Sequence, residues 1–377
     1  MPHCRHRVCF VLPSLNGGGA ERAAVQVLNG LDAEWWDRSM FLFERTGPYL
    51  ADLDPGIALQ SASSPSRGAR WRSLRRFIQQ TRPDVVVAFL SYATALTAVR
   101  AAHTGAKVVF NQQTPMTAFL TDADYQWRNG WRRRVFTATS RLTYAAADSI
   151  IATSRGVADD LAENFGVNPH LVHVVPNPVD LDAVRERAAE PLEPGDDPAG
   201  ARPVIIAAGR LADAKNYPLL IDTMRMLRAT VPARLFILGE GELEPALRRQ
   251  IADHRLEDTI TLLGFQRNPW KFMARADVFA LSSHYEGFGN VLIEAMALGI
   301  PVVATASAGT RDIITHGVDG LLVEPHTPEA MAGALGRILA SHDTRAAMAR
   351  EARLSAERFA AEKVIARYDA VLEQVAA

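Results

Sequence analysis

The sequence predicts an α/β protein made of two domains, each built from βαβ units on a parallel sheet that is covered on both faces. Short apolar runs alternate with amphipathic stretches over almost all of the 377 residues, and a segment rich in proline and glycine divides them into two sets. Apolar runs of about four to eight residues between amphipathic stretches are typical of parallel strands covered by helices on both faces. A chain of this length also exceeds one ordinary core, so we expect two domains.

Each set contains about six predicted strands. The first set is residues 7–12, 38–43, 84–89, 107–110, 149–153 and 172–175, and the second is 204–208, 234–238, 259–262, 278–281, 301–304 and 321–323. A helix at 20–31 follows the first strand. Residues 347–377 are rich in alanine, glutamate and arginine, which predicts one or two terminal helices.

The domain boundaries follow from the segment between the two sets. Residues 190–203 contain four prolines and two glycines and lack apolar periodicity. We expect an N-terminal domain at 1–185, a linker at 186–203 and a C-terminal domain at 204–350. A terminal helix at 351–377 either stays with the second domain or crosses back to the first.

Composition excludes several classes of protein. The 41 basic and 42 acidic residues give a net charge of -1, which argues against a surface built for nucleic acid. The two cysteines, Cys4 and Cys9, provide neither a disulfide framework nor a zinc site. The uncharged run 85–99 is shorter than the roughly 20 apolar residues of a spanning helix, and no secretion signal is apparent. We therefore expect a cytoplasmic protein.

Three segments contain the residues suited to chemistry, and the first is a glycine cluster after the first strand. Gly17, Gly18 and Gly19 let the backbone approach a bound group, and the following helix offers N–H groups to an anion. A tight strand-to-helix turn is the alternative interpretation. A dinucleotide fingerprint needs a third glycine where Arg22 stands, so a dehydrogenase is supported only by Glu44 after the second strand.

The second segment, Gly209-Arg210-Leu211 with Lys215, follows the first strand of the second set. Cations at the carboxyl edge of a parallel sheet are well placed to bind a diphosphate. On spacing alone, a solvated surface pair is the alternative.

The third segment, residues 282–297, joins a strand to a strong helix-forming run. Backbone N–H groups of residues 289–292 are predicted to point at an anion. Glu294 lies about 7.5 Å from the helix start, roughly the reach from a diphosphate to its ribose. Glu286 precedes the helix and is placed to meet hydroxyls beyond the phosphates. A capping role for Glu286 and a solvated Glu294 are the alternatives.

Together these motifs resemble the signature of the retaining GT-B glycosyltransferases of family 4. The similar segments occur in the family's order over residues 11–323. They are G-G-G-A-E-R at 17–22, V-P-N-P-V-D at 175–180, Gly209-Arg210-Leu211 with Lys215, the E-x7-E pair Glu286 and Glu294, and G-x-P-V-V-A-T at 299–305.

The resemblance implies a GT-B fold, in which two Rossmann-like domains face across a cleft. It implies that the N-terminal domain binds the acceptor and that a nucleotide-diphosphate sugar is held mainly by the C-terminal domain. It implies that Arg210 and Lys215 bind the diphosphate, Glu294 the ribose and Glu286 the donor sugar. Asn111 and Gln112 stand where many members have a histidine; their amides suit a sugar hydroxyl but cannot titrate. The other implied donor contacts are Gly17, Gly18, Gly19, Gly209, Gly264, Phe265, Gly287, Phe288, Gly289, Asn290, Val291 and Leu292.

This chemistry needs no metal or cofactor, and Asp122 and Asp124 suit a surface role better than a metal site. Departure of a nucleoside diphosphate, UDP rather than GDP, develops negative charge that the cations and the helix terminus stabilise. Retention then requires a same-face substitution, which the resemblance favours, or a covalent intermediate on Glu286.

We therefore expect a hexosyl- or N-acetylhexosaminyltransferase acting on a saccharide acceptor, such as a polyprenyl-diphosphate-linked glycan of bacterial-type envelope polysaccharide assembly. An NAD-dependent dehydrogenase, a sugar-nucleotide epimerase and a non-catalytic sugar-nucleotide-binding protein are the alternatives. A non-catalytic protein is disfavoured, because the set of Arg210, Lys215, Glu286 and Glu294 is intact.

Two clusters of arginine and aromatic residues in the first domain indicate contact with a membrane. They are Arg67 to Arg76 and Trp127 to Arg134. Each cation near an anionic lipid surface contributes about 1 kcal/mol, which suits a peripheral protein on the inner face of the plasma membrane. The alternative is a core-packed helix with a solvated basic face. A nucleic-acid partner is not expected.

Overall fold

The computed structural model describes residues 6–16, 18–121, 130–193, 197–198, 200 and 202–377. These residues form two compact units. Unit 1 contains the described residues up to Pro178 together with Ala361–Ala377, and unit 2 contains Val179–Ala360.

Unit 1 is built on a parallel sheet of seven strands in the order β3-β2-β1-β4-β5-β6-β7. The strands are β1 (His6–Leu12), β2 (Trp36–Leu42), β3 (Ala58–Ser61), β4 (Val85–Phe89), β5 (Lys107–Gln112), β6 (Ser149–Ala152) and β7 (Val172–Val174). The helices are α1 (Gly19–Gly30), α2 (Arg67–Thr81), α3 (Tyr92–Ala102), α4 (Ala118–Thr121), α5 (Gly130–Ala145) and α6 (Arg155–Phe165), with α15 (Ala361–Ala376) from the end of the chain.

Unit 2 is built on a parallel sheet of six strands in the order β10-β9-β8-β11-β12-β13. The strands are β8 (Val204–Ala208), β9 (Arg234–Leu238), β10 (Ile260–Gly264), β11 (Val278–Leu281), β12 (Val302–Thr305) and β13 (Gly320–Val323). The helices are α7 (Leu181–Ala188), α8 (Tyr217–Leu227), α9 (Glu244–Asp253), α10 (Trp270–Met273), α11 (Asn290–Ala297), α12 (Ala308–Ile313), α13 (Pro328–Leu339) and α14 (His342–Ala356).

Both faces of each sheet are buried, as the continuous apolar runs predict. In β8, Ile206 packs in one core cluster and its neighbours Ile205 and Ala207 pack in another. In β1, Phe10 and Val11 divide in the same way between the two clusters of unit 1. Successive side chains of a strand point to opposite faces of the sheet. When helices cover both faces, every position is apolar, and the sequence shows a continuous apolar run instead of an alternation of apolar and polar residues.

The α/β prediction with two Rossmann-like sheets is confirmed. The first sheet has seven strands rather than six, because the sequence analysis missed the edge strand β3. Its four residues are exposed or half-buried, so it lacks the apolar run that marks the other strands.

The compact units divide at 178/179 and at 360/361, whereas the sequence analysis places a linker at 186–203. Helix α7 spans the expected end of the N-terminal domain at residue 185 but packs in unit 2, where Leu181 and Val184 join a core cluster that includes residues of β8. The terminal segment forms two helices, of which α15 belongs to unit 1. There the indole Nε1 of Trp36 donates to Asp369 at 2.6 Å, and Tyr368 is buried.

The structure of helix α2 does not support the expectation that the apolar residues of the cluster Arg67 to Arg76 contact a membrane. Its apolar residues Leu74, Phe77 and Ile78 are buried in the core, and its exposed face is formed by arginines such as Arg72 and Arg76. The helix is therefore the core-packed alternative with a solvated basic face. Within the described residues, no helix combines the length and apolar character required to cross a bilayer.

Candidate active site in unit 2

The segments that carry the predicted cations and acids lie where the strand order of unit 2 reverses. From β8 the chain winds outward through β9 to β10, and from β11 it winds the other way through β12 to β13. Because β8 and β11 are neighbours from which the chain winds in opposite directions, their carboxyl ends mark the position at which open α/β sheets bind ligands. The loop 209–216 follows β8, and the loop 282–289 follows β11.

These two loops are fastened to each other by backbone and side-chain bonds. The hydroxyl of Ser282 donates to the carbonyl of Lys215 at 2.9 Å, and the amide of His284 donates to the carbonyl of Ala214 at 2.9 Å. Across the same junction, the ammonium of Lys215 forms an ion pair with the carboxylate of Glu286. The structure therefore brings Lys215 and Glu286 into direct contact, although they are 71 residues apart.

Glu286 is held in a defined position. The Oε1 atom that accepts from Lys215 also accepts from the hydroxyl of Ser283 at 2.7 Å. Its side chain is 12% exposed and that of Lys215 is 24% exposed, so both charges are largely withdrawn from water. Charges in this setting depend on each other, because removal of one leaves the other partly buried and unpaired.

Tyr217 supports the loop that carries the cations. Burial, and secondarily the charge of Glu286, raise the pKa of Tyr217 well above its usual value, so its hydroxyl stays protonated. That hydroxyl donates to the carbonyl of Gly209 at 3.1 Å. Arg210, the next residue, is exposed, and no described residue forms an ion pair with it.

Two glycines after β9 allow the loop 209–211 to pass close by. A Cβ on Gly239 would lie 2.0 Å from the carbonyl oxygen of Gly209, and one on Gly241 would lie 2.3 Å from that of Leu211. Gly239 also has a φ of 139°, which side chains rarely adopt. The backbone bonds from Gly209 to Leu238 and from Leu211 to Glu240, each 2.9 Å, fix this approach.

Glu294 is buried inside α11 rather than solvated. Its side chain is 5% exposed, and its Oε2 accepts a hydrogen bond of 2.8 Å from the indole of Trp270. The guanidinium of Arg187 lies 4.7 Å from the centre of the Trp270 ring. The indole thus fixes the orientation of the carboxylate from the side of α10.

The start of α11 only partly matches the expected anion site. Gly289 precedes the helix with a φ of 104°, a conformation that favours glycine. Leu292 departs from the prediction, since its amide donates to the carbonyl of Gly289 and its side chain is fully buried. Phe288 is buried against the ring of Phe359, so only its backbone can face a ligand.

The other predicted donor residues of unit 2 lie on neighbouring loops. Gly264 ends β10 with a φ of 68°, and Phe265 after it is 66% exposed. The amide of Phe265 donates to Glu240 at 3.3 Å. Gly287 is buried, while Asn290 and Val291 are half-buried at the start of α11.

In unit 1, the predicted glycines follow β1 at the carboxyl edge of the sheet. Gly18 precedes α1 and Gly19 begins it, and both are exposed. Gly17 lies outside the described residues. Their contact with a donor stays a prediction.

Asn111 and Gln112 end β5, and both side chains are buried. The amide of Gln112 donates to the carbonyl of Thr114 and accepts from the hydroxyl of Tyr144, while Asn111 accepts from Gln113. Both ends of the Gln112 amide therefore bind protein groups, whereas the Nδ2 atom of Asn111 is buried without a hydrogen-bond partner among the described residues. Contact of Asn111 and Gln112 with a sugar stays a prediction.

Two other predictions concern acids. The carboxylate of Glu44 forms an ion pair with Arg70, and its side chain is 52% exposed. Asp122 and Asp124 lie outside the described residues, as do Trp127 and its neighbour Arg128. In the described part of the chain, no three histidine, cysteine or acidic side chains converge on a metal-binding geometry.

Sequence reasoning missed Trp270, Ser283 and the glycines of the Gly239-Glu240-Gly241 segment. The glycines could have been found, because they directly follow the predicted strand 234–238 and so stand at the edge of the sheet where ligands bind. Trp270 and Ser283 could not, since each acts through a contact that only the folded chain creates.

Comparison with protein families gives two matches that lie on the two halves of the chain. Residues 17–183 match the model "Glycosyltransferase Family 4", and residues 194–355 match "Glycosyl transferases group 1".

Two curated bacterial proteins are similar in sequence. The N-acetylgalactosamine-N,N'-diacetylbacillosaminyl-diphospho-undecaprenol 4-alpha-N-acetylgalactosaminyltransferase of Campylobacter jejuni is 36% identical over 219 residues, which is 58% of each chain. The D-inositol 3-phosphate glycosyltransferase of Xylanimonas cellulosilytica is 34% identical over 235 residues, which is 57% of this chain and 54% of the relative. The chain thus spans slightly more than half the length of these relatives.

Among solved structures, the Anabaena protein HepE in complex with UDP and glucose has a similar fold. The TM-score is 0.78 at 20% identity, and the match covers 98% of this chain and all of HepE.

The close approach at Gly239 generates a prediction about stability. Gly239→Ala places a Cβ against the Gly209 carbonyl in a strained conformation, and we expect it to lower the free energy of unfolding by at least about 2 kcal/mol. Gly333→Ala is the matched control, because Gly333 is exposed in α13 with no atom near its Cβ position, where alanine favours the helix by about 1 kcal/mol. Urea unfolding measures both; equal stability of the two variants would contradict the packing of this loop.

Proposed function

The chain belongs to the group 1, family 4 glycosyltransferases, and from this premise we propose that it transfers a sugar from a nucleotide-diphosphate donor to a saccharide acceptor with retention of configuration. The sugar is a hexose or an N-acetylhexosamine, and the nucleotide is UDP. A protein of similar fold, HepE, has been solved with UDP and glucose, which supports this choice of donor.

The observation that carries the proposal is the Lys215–Glu286 pair at the strand reversal of unit 2. A Lys ammonium has three donors, so it can keep Glu286 and bind a phosphate oxygen together. Arg210 lies on the same loop, exposed and without an ion-pair partner among the described residues. The two cations, with amides at the start of α11, then hold the donor diphosphate.

Glu294 and Glu286 have separate roles in this proposal. Glu294, oriented by Trp270, accepts from the ribose hydroxyls, and Glu286, oriented by Ser283, accepts from hydroxyls of the donor sugar. Gly264 and Phe265 border the base. We leave Leu292 out of the proposed contacts, because its amide is already bonded within the turn.

The reaction is proposed as a same-face substitution. The bond between the anomeric carbon and the phosphate oxygen breaks, and its electron pair stays on the phosphate, where Arg210 and Lys215 stabilise the new charge. The acceptor oxygen bonds to the same face of the sugar, and its proton passes to the departing phosphate oxygen. Glu286 is a poor nucleophile in this site, since its Oε1 accepts from both Lys215 and Ser283.

We propose a lipid-linked saccharide as the acceptor, in assembly of an envelope polysaccharide or glycan. The Campylobacter jejuni relative acts on an undecaprenol-diphosphate-linked sugar, which supports this class, whereas the Xylanimonas relative is named for inositol 3-phosphate. Such an acceptor places the enzyme at the inner face of the plasma membrane as a peripheral protein. A dehydrogenase is disfavoured, because both halves of the chain match glycosyltransferase models and Arg22 stands where a dinucleotide fingerprint needs its third glycine.

The two cations give the most direct mutational test. We expect Arg210→Ala and Lys215→Ala each to lower kcat by about 10²- to 10³-fold, the cost of losing one group that stabilises developing charge. Arg248→Ala is the matched control, since Arg248 is an exposed cation of the same unit that pairs with Glu244 on α9. Release of UDP from UDP-sugars is the measurement, and full activity in both variants would remove these cations from the mechanism.

Glu294 is expected to act on donor affinity rather than on turnover. Glu294→Gln keeps an acceptor for the Trp270 indole but replaces charged hydrogen bonds to the ribose by neutral ones, so the donor KM should rise about 10-fold with kcat nearly unchanged. The control is Glu244→Gln on α9. An unchanged donor KM in the Glu294 variant would refute the ribose contact.

A further inference from the structure

Helix α5 carries an unusual share of exposed apolar surface. Seven large apolar side chains are exposed among the described residues, and three of them belong to this helix. Trp131 is 65% exposed, Val135 is 51% exposed and Leu142 is 74% exposed. A soluble surface rarely gathers large apolar side chains in one place without a partner.

The exposed residues form one stripe along α5. Residues 131, 135, 138 and 142 follow one another at helical spacing, so they share a face of the helix. Ser140 and Tyr144 lie on the opposite face and are buried, with Tyr144 in the core of unit 1. The helix therefore has its own core-facing side, and the apolar stripe is a second, outward side.

Charge surrounds this stripe. Helix α5 contains four arginines and no acidic residue, and none of the four forms an ion pair with a described residue. Arg132 lies over the Trp131 ring at 5.5 Å. The remaining arginines, Arg133, Arg134 and Arg141, line a shallow hollow that Leu142 also borders.

The basic surface continues onto the neighbouring helices. Helix α3 packs against both α2 and α5, and all three contribute to one core cluster on the same face of the sheet of unit 1. The exposed arginines of α2, such as Arg72 and Arg76, therefore belong to the same side of unit 1 as the stripe. Helix α2 adds charge there without adding apolar surface.

We infer that α5 docks onto an anionic phospholipid bilayer, with Trp131, Val135 and Leu142 entering the acyl boundary. An apolar stripe bordered by arginines matches a bilayer surface, in which an apolar interior lies beneath a layer of phosphates. Interfacial helices bury their apolar face about 5–10 Å deep, while arginine side chains extend back to the headgroups. Arg133, Arg134 and Arg141 bind those phosphates. This inference rests on the peripheral attachment proposed above and names the surface that makes it. Vesicle binding tests it without donor or acceptor, so its failure is distinguishable from a failure of the proposed sugar transfer.

Flotation of the full chain with vesicles tests the docking. The vesicles contain phosphatidylcholine with about 30 mol% phosphatidylglycerol, and pure phosphatidylcholine vesicles provide the comparison. We expect Trp131→Ala/Leu142→Ala to lower partitioning at least about 10-fold, and Arg133→Gln/Arg134→Gln/Arg141→Gln to lower it about 100-fold at low salt.

The controls match exposure and charge in unit 2. Leu354→Ala removes an apolar side chain that is 64% exposed on α14, and Arg248→Gln/Arg249→Gln/Arg350→Gln removes the same number of exposed cations. We expect both controls to partition like the parent. Circular dichroism and light scattering establish the fold and the oligomeric state of each variant.

Three outcomes would overturn the inference. If the parent protein does not float with anionic vesicles, α5 does not dock onto a bilayer. Loss of binding in the arginine variant with full binding in Trp131→Ala/Leu142→Ala would show adsorption by charge without insertion. A parent dimer that becomes monomeric in Trp131→Ala/Leu142→Ala, with no vesicle binding by either, would assign the stripe to a second copy of the chain.

Discussion

The ion pair of Lys215 and Glu286 is the constraint on which the site in unit 2 depends. Both side chains are mostly withdrawn from water, so neither loop can move away without leaving a charge unpaired. The hydrogen bonds from Ser282 to the Lys215 carbonyl and from His284 to the Ala214 carbonyl also hold the two loops together. The sheet topology places the two loops side by side, and the ion pair then sets the positions of a cation and an acid before any ligand binds.

Most of the fold could be predicted from the sequence, because strands buried on both faces leave continuous apolar runs. The edge strand β3 could not, since its side chains are exposed or half-buried and resemble a loop in composition. The sequence of α15 also does not indicate that this helix packs in unit 1. This packing depends on contacts such as the one between Trp36 and Asp369, which are 333 residues apart in the chain.

The sequence indicated which side chains of unit 2 suit a diphosphate ligand, and spacing was enough to place them at strand ends. It did not indicate their partners. The sequence predicts that Lys215 and Glu286 meet different parts of a ligand, whereas their contact with each other depends on the folded chain. Burial of Glu294 behind Trp270 is likewise a tertiary effect, to which helical periodicity is insensitive. The Leu292 amide, by contrast, is engaged locally, by the carbonyl of Gly289 in the same turn.

A crystal structure with UDP bound is the measurement closest to the central claim. The account predicts that oxygens of the diphosphate lie within hydrogen-bonding distance of the Lys215 ammonium and the Arg210 guanidinium, with the ribose hydroxyls on Glu294. Phosphates bound elsewhere, with the loop 209–216 far from the nucleotide, would contradict it.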